Sequence, residues 1–112
     1  MSLLRNGIIY DETSHNIIFA GSLRLNSSSE FAPISELLNK AVQQEPEKIV
    51  LDFKQLNFLN SSGISILSKF VISVRNRQNV QILVIGAKAN PWQGKFLKNL
   101  KRLMPSLELE LE

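Results

Sequence analysis

The sequence predicts an α/β domain with a mixed β-sheet of about five strands and helices packed on it. Two short apolar runs, residues 48–53 and 80–85, have the length and composition of interior strands. Longer segments with apolar residues at helical spacing alternate with these runs. We therefore expect the order ββ-α-β-α-β-α-β in one domain over residues 1–112.

The first third of the chain predicts a hairpin followed by a helix. Residues 7–10 and 15–20 are short apolar or β-branched runs on either side of a polar turn. Residues 27–30, Ser-Ser-Ser-Glu, offer several N-caps for a helix that we expect to end near Gln44. Its apolar residues fall on one helical face: Phe31, Ile34, Leu37, Leu38, Ala41 and Val42.

The centre of the chain predicts a strand, a turn and a helix. Residues 48–53 indicate a strand that is buried on both faces, and residues 56–59 a short connector. Residues 60–63, Asn-Ser-Ser-Gly, should form the N-terminus of a helix whose apolar pattern covers residues 64–77. Two isoleucines fall outside its apolar stripe, Ile66 and Ile72.

The last third predicts a strand, a helix and a final strand. After the strand at residues 80–85, Asn90 and Pro91 are typical of the N-cap and first position of a helix, which Pro105 should end. Leucine and glutamate then alternate over residues 107–112, as in a half-buried strand.

The composition argues against several classes of protein. The chain of 112 residues contains no cysteine, which excludes disulfides, thiolate metal sites and a cysteine nucleophile. Its one histidine, His15, falls in a polar turn and should be solvated, and the glycines lack the spacing of nucleotide-binding loops. Without a membrane-spanning run or a leader pattern, we expect a cytoplasmic protein with no catalysis, metal, cofactor or membrane partner.

Charge is unevenly distributed along the chain. Residues 1–52 carry four bases and seven acids, whereas residues 53–107 carry nine bases and no acid. This asymmetry indicates either a solvated basic face or a surface for an anionic partner, whether nucleic acid, a membrane headgroup or an acidic protein. The aromatic interleaving of a single-strand binder is lacking, which argues against nucleic acid. The face that would bind nucleic acid is the basic face of the last helix: Lys95, Lys98, Lys101 and Arg102.

The tetrapeptide at residues 60–63 is the most specific feature of the sequence. A helix N-terminus presents unpaired N–H groups and the positive end of the helix dipole, which stabilise an anion. A phosphate on Ser61 or Ser62 would therefore be stabilised there and would change what can dock. The structural alternative is plain capping by serine, and a further alternative is a small anionic ligand near the helix N-termini.

The same region resembles the STAS domains of bacterial anti-sigma factor antagonists. The family pattern is a hydrophobic strand, a connector and Asp-Ser-Ser-Gly opening a helix, which residues 49–53, Leu56 and residues 58–64 follow here. The resemblance continues in the apolar strand ending at Gly86 and in the helix start at Asn90-Pro91. Residues 21–24 align with an early Gly-x-Leu-Asp segment of the family.

The resemblance implies a regulatory protein-binding module that acts by partner switching. Relatives of this kind bind a serine kinase that doubles as an anti-sigma factor. Phosphorylation of the first motif serine, here Ser61, ends that binding, and a serine phosphatase restores it. The implied partner-binding residues are Arg24, Asn60, Ser61, Ser62, Gly63, Ile64 and Ile66.

The sequence departs from the family pattern beside the switch serine. Asn60 replaces the acid that precedes the serines, and Arg24 replaces the acid of the early loop. Both changes remove negative charge and alter which partners fit. The chain is therefore predicted to be a switch with altered partners or, alternatively, a constitutive docking module that is never phosphorylated.

Overall fold

A computed structural model describes residues 2–5, 7–11, 13–24, 28–77 and 79–112, with side chains outside residues 2–5 and 28–31. Within these ranges the chain forms six strands and three helices. In chain order they are β1 (Ser2–Arg5), β2 (Ile8–Asp11), β3 (Asn16–Leu23), α1 (Ser28–Gln43), β4 (Lys48–Leu59), α2 (Ser61–Arg77), β5 (Gln81–Gly86), α3 (Pro91–Leu103) and β6 (Glu108–Leu111).

The strands form one mixed sheet in the order β1-β2-β3-β4-β5-β6. Strands β1, β2 and β3 are antiparallel neighbours, whereas β3, β4, β5 and β6 run parallel. This arrangement confirms the α/β fold and the N-terminal hairpin. Strand β1, Ser2–Arg5, adds to the five strands that we expected.

Polar groups of the turn between β2 and β3 form hydrogen bonds, although we expected His15 there to be solvated. The backbone N–H of Thr13 donates to the Asp11 carboxylate at 3.0 Å, and this bond lowers the pKa of that carboxyl. His15 has φ of 57°, and its carbonyl accepts from the Val50 N–H at 3.1 Å. Its ring is half-buried, with Nδ1 buried and without a hydrogen-bond partner among the described residues. The histidine is therefore less solvated than the sequence suggested.

Strand β4 is longer and less regular than the sequence predicts. It continues through residues 56–59, so the expectation of a connector there is wrong. Its buried residues are two apart as far as Phe53 and then three apart, at Leu56 and Leu59. Extra β4 residues cause two register shifts against β3, as in β-bulges. The second half of β4 therefore lacks the period of two by which strands are recognised.

The helices cover one face of the sheet. Alternate residues of β2, β5 and the first half of β4 are buried and half-exposed, and α2 lies between α1 and α3. Strand β4 is interior in the sheet, but Val50 and Asp52 on its second face are half-exposed. The prediction of burial on both faces is therefore wrong, because this second face of β4 is only partly covered.

The helices begin and end close to where the sequence predicts. Helix α1 ends at Gln43, one residue before the expected end, while Ser27, one of the several candidate caps, lies outside the described residues. Helix α2 begins at Ser61 inside the predicted tetrapeptide. The apolar pattern that starts at Ile64 predicts a buried stripe, of which Leu67, Phe70, Val71 and Val74 are buried while Ile64 is half-buried.

Candidate functional site

The start of α2 is a capped helix N-terminus, as predicted. The Asn60 side-chain Oδ1 accepts from the Gly63 N–H at 3.1 Å, and the Asn60 carbonyl accepts from the Ile64 N–H at 3.0 Å. Helix α2 has no acidic residue in its first turn. The positive end of its dipole is therefore left without a compensating charge from its own first turn.

Parallel pairing of β3 with β4 brings the early loop to this helix start. Leu23 pairs with Leu59 at the ends of the two strands, and the Asn60 N–H donates to the Leu23 carbonyl at 3.2 Å. Arg24 follows directly and is exposed, with its guanidinium carbon 4.8 Å from the centroid of the Phe58 ring. Arg24 and Asn60, the two departures from the family pattern, thus lie at the same edge of the sheet.

The two motif serines differ in exposure. Ser61 is exposed and Ser62 is half-buried, whereas Gly63 is buried. A Cβ atom at Gly63 would collide with the Leu59 side chain, so glycine allows α2 to pack closely on the end of β4. Ser61 is therefore the more accessible hydroxyl at this helix start.

An apolar groove lies beside the helix start, between α2 and α3. Its volume is about 480 Å³, and Phe58 at its edge is 41% exposed. Ile64 lines the groove and lies one helical turn after Ser61, so the two share a face of α2. The described lining residues are Phe58, Leu59, Ile64, Trp92, Lys95, Phe96 and Asn99.

A row of aromatic rings connects the groove to the core. Trp92 stacks on Phe96 with ring centroids 6.1 Å apart, and Phe96 meets Phe53 edge-on at 5.6 Å. Phe53 in turn packs on Phe19 at 4.8 Å. Phe19, Phe53 and Phe96 are all buried, so the α3 side of the groove rests on a fixed support.

Gln93 fixes the start of α3 against β4, and the sequence reasoning did not identify it. It is fully buried, and its Nε2 donates to the carbonyls of Phe53 and Leu56, both at 2.8 Å. Its Oε1 accepts from the Ala87 N–H at 2.9 Å. Pairing of β4 with β5 ends at Asp52, so Gln93 donates to β4 carbonyls that lie beyond the last β4–β5 pair. The sequence feature that could have identified Gln93 is a polar residue at a position on the apolar stripe of α3.

Asn90 occupies the N-cap position of α3 but does not act as expected. Its side chain makes no capping hydrogen bond; instead Nδ2 donates to the Leu56 carbonyl at 3.4 Å. The Gln93 N–H donates to the Asn90 backbone carbonyl at 3.1 Å. Asn90 therefore assists Gln93 in holding α3 on β4.

Ile66 lies apart from the other predicted partner-binding residues. It is half-buried, packs on the core and lines a second groove between α1 and α2. The structure thus groups Arg24, Asn60, Ser61, Ser62 and Ile64 around one helix start, but places Ile66 on another side of α2. The second groove is lined by Ser35, Leu38, Asn39, Ile66, Lys69, Phe70 and Ser73.

Several cations of the basic stretch stabilise the fold. The Arg75 guanidinium donates to the Leu103 carbonyl at 2.9 Å, and Lys101 Nζ donates to the carbonyls of Pro105 and Leu107 at 3.2 and 2.7 Å. These bonds satisfy carbonyl groups at and after the end of α3. The basic bias of the sequence is therefore partly structural, which weakens the nucleic-acid hypothesis.

Lys54 is also used within the fold. Its hydrogen bond to Glu112, at 3.3 Å, together with the charges of Asp52 and Glu112, raises the pKa of the ammonium group. Asp52 Oδ2 lies 3.8 Å from the same nitrogen. Lys54 thus links the middle of β4 to the residue that follows β6.

The structure places the only histidine, the carboxylates and the helices as follows. His15 precedes β3 and Ser61 lies beyond its far end, roughly 20–25 Å away by the rise of a strand, so these two residues do not pair. No group of three or more potential metal ligands occurs in the described ranges. No helix among them is long and apolar enough to cross a bilayer.

The family model of the STAS domain matches residues 14–101. The match spans most of the chain, including β3, the Ser61 turn and nearly all of α3, and the chain therefore belongs to the STAS-domain family. It is accordingly a non-enzymatic regulatory module that binds other proteins. No curated protein matches the sequence.

The solved structures that share this fold include the following two chains. One is a chain in the crystal structure of the diguanylate cyclase SiaD in complex with its activator SiaC from Pseudomonas aeruginosa. It is 13% identical at a TM-score of 0.73, over 99% of this chain and 97% of that one. The other is SiaC of Pseudomonas aeruginosa, 12% identical at a TM-score of 0.71, over 100% and 96% of the two chains.

Proposed function

We propose that this STAS domain is a partner-switching regulator whose switch residue is Ser61. The observation that carries the proposal is the exposed Ser61 hydroxyl at the first position of α2, next to the Asn60 cap. An unmodified Ser61 permits a partner protein to dock around the helix start. A phosphate on Ser61 ends that contact.

The environment of Ser61 suits a phosphate. The N-terminal N–H groups and dipole of α2 favour an anion, and the first turn holds no carboxylate that would repel it. Arg24, exposed at the adjacent end of β3, supplies a cation at the same edge. A phosphate of about −1.5 to −2 charges would therefore be stabilised here while inverting the local charge.

Exposure favours Ser61 over Ser62 as the acceptor. A kinase must bring the hydroxyl to its own phosphate donor, and Ser61 is exposed whereas Ser62 is half-buried. Arg24, Asn60, Ser62 and Ile64 surround the acceptor and form the proposed partner surface. Gly63 contributes by permitting the close packing of α2 on Leu59, and Ile66 contributes from the neighbouring α1 side of the helix.

The proposed partners are a serine kinase with anti-sigma-like activity and a serine phosphatase, as the anti-sigma factor antagonists suggest. SiaC, which shares the fold, is described as the activator of a diguanylate cyclase. A regulated enzyme is therefore a second class of partner that this surface can hold. With either class of partner, the state of Ser61 determines whether the domain can bind.

A constitutive docking module is the second candidate, and the residues at two positions favour it. Asn60 and Arg24 remove both negative charges that the family pattern places beside the switch serine. A kinase that reads those charges would not recognise this surface. The unmodified domain would then bind its partner at all times.

Recovery of the native protein from its own cells separates the two candidates. We expect intact-mass and phosphopeptide analysis to find a fraction that carries one phosphate, on Ser61, and the unphosphorylated fraction to co-purify with a protein partner. Ser61→Ala should abolish the modification, whereas Ser65→Ala, a matched change at another exposed serine of α2, should not. A stable complex of wholly unmodified protein under all growth conditions would refute the switch and support constitutive docking.

A further inference from the structure

We propose that the groove between α2 and α3 receives a large apolar side chain from an acidic segment of the partner protein. The inference rests on the proposed function, because it specifies which partner chemistry the Ser61 surface selects. It concerns the groove lined by Phe58, Leu59, Ile64, Trp92, Lys95, Phe96 and Asn99.

The shape and lining of the groove indicate an apolar anchor. Five of its seven described lining residues are apolar or aromatic, and its volume of about 480 Å³ lies in the range of about 300–1,000 Å³ typical of binding pockets. Phe58 stands at its edge with 41% of its surface exposed. A large exposed aromatic side chain beside a groove is typical of a protein-binding surface.

The charges around the groove indicate the sign of the partner. Lys95 lines it, and Arg24 lies over the ring of Phe58 at its edge. None of its described lining residues is acidic, and the whole stretch from residue 53 to residue 107 contains no acid. The positive end of α2 adds to this field. An acidic segment is therefore electrostatically complementary to the groove, and a basic segment is repelled.

The position of Ser61 connects the groove to the switch. Ser61 and Ile64 lie one turn apart on the same face of α2, and Ile64 lines the groove. A phosphate on Ser61 would place negative charge at the groove edge and compete with the acidic partner for Arg24. Expulsion of the partner then follows from repulsion between like charges, without a change of fold.

The test is a selection from a phage-displayed library of random twelve-residue peptides on the full-length protein. The most enriched peptide is then synthesised and titrated. Trp92, the one tryptophan of the chain, lines the groove, so its fluorescence reports binding there. We expect enriched peptides to combine several acids with one large apolar residue and to shift the Trp92 emission. Basic peptides, no enrichment, or binding without a Trp92 response would overturn the proposal.

Two pairs of variants make the test specific. Lys95→Glu should weaken the selected peptide about tenfold or more, while Lys69→Glu, an equal charge change in the α1–α2 groove, should not. Phe58→Ala should weaken it similarly, while Leu111→Ala, at an equally exposed apolar residue, should not. Equal effects within either pair would overturn the proposal. A dimer in solution that Phe58→Ala dissolves would also do so, because the occupant would then be a second copy.

Ser61→Glu distinguishes this inference from the proposed function. If Ser61→Glu weakens the selected peptide but Lys95→Glu does not, the switch stands and the acidic-partner inference fails. If Lys95→Glu weakens it but Ser61→Glu does not, the groove chemistry stands and the switch fails. We expect both variants to weaken binding.

Discussion

At the scale of single residues, Asn60 performs a structural task that does not require a charge. Its Oδ1 accepts the Gly63 N–H at 3.1 Å, which satisfies one of the unpaired donors at the start of α2. A neutral amide therefore starts the helix while it leaves the charge beside Ser61 positive. Aspartate and asparagine both cap a helix. An aspartate would also present a negative charge to an approaching partner, and the asparagine here does not.

Substitution of Asn60 tests this separation of roles. We expect Asn60→Ala to lower the free energy of unfolding by about 1 kcal/mol, because the cap is lost, and Asn60→Asp to remain more stable than Asn60→Ala. Urea unfolding followed by circular dichroism measures both. Asn57→Ala, at an exposed β4 residue three positions earlier, is the control and should change little. Equal stability of Asn60→Ala and Asn60→Asp would contradict the capping role.

The sequence predicted the capped helix start at residues 60–63 because a cap depends on local geometry. A cap joins residues three apart, so Asn60 and Gly63 are recognisable without knowledge of the fold. The nearness of Arg24 to Asn60 depends on the pairing of Leu23 with Leu59, which no local pattern encodes. The placement of Ile66 towards α1 likewise depends on how the helices pack.

At the scale of elements, the position of α3 depends on the irregular end of β4. The carbonyls of Phe53 and Leu56 lie beyond the last β4–β5 pair, and Gln93 donates to both. This anchor sets the distance between α3 and β4 and therefore one side of the groove. Sequence periodicity failed here for a physical reason, because two register shifts erase the alternation of a regular strand.

Removal of the Gln93 amide should destabilise the protein. Gln93→Ala leaves the Ala87 N–H and the Phe53 carbonyl without their partner in a buried site, so we expect a loss of about 2–4 kcal/mol. Asn99→Ala, an amide change at an exposed position of the same helix, should alter stability by less than about 0.5 kcal/mol. Chemical denaturation of both variants is the measurement. Equal stability of the two variants would contradict the anchoring role.

At the scale of the whole molecule, the unequal charge distribution has two consequences. Part of the basic stretch is used internally, by Arg75 and Lys101 at the end of α3 and by Lys54 between β4 and the residue after β6. Lys95 of this stretch is exposed in the groove beside the Ser61 surface, next to Arg24 from the end of β3, whereas Lys69 lines the α1–α2 groove. Sequence alone showed the imbalance but not this division, because the division depends on which carbonyls and carboxylates the fold brings near each cation.

Partner switching requires one coupling, between the charge at Ser61 and the binding of a partner. We predict that Ser61 phosphorylation weakens the co-purifying partner by at least about tenfold, which corresponds to about 1.4 kcal/mol. The most direct measurement is isothermal titration of that partner with unmodified protein and with protein phosphorylated at Ser61 alone, each checked for an intact fold by circular dichroism. Equal or tighter binding by the phosphorylated protein would contradict the account.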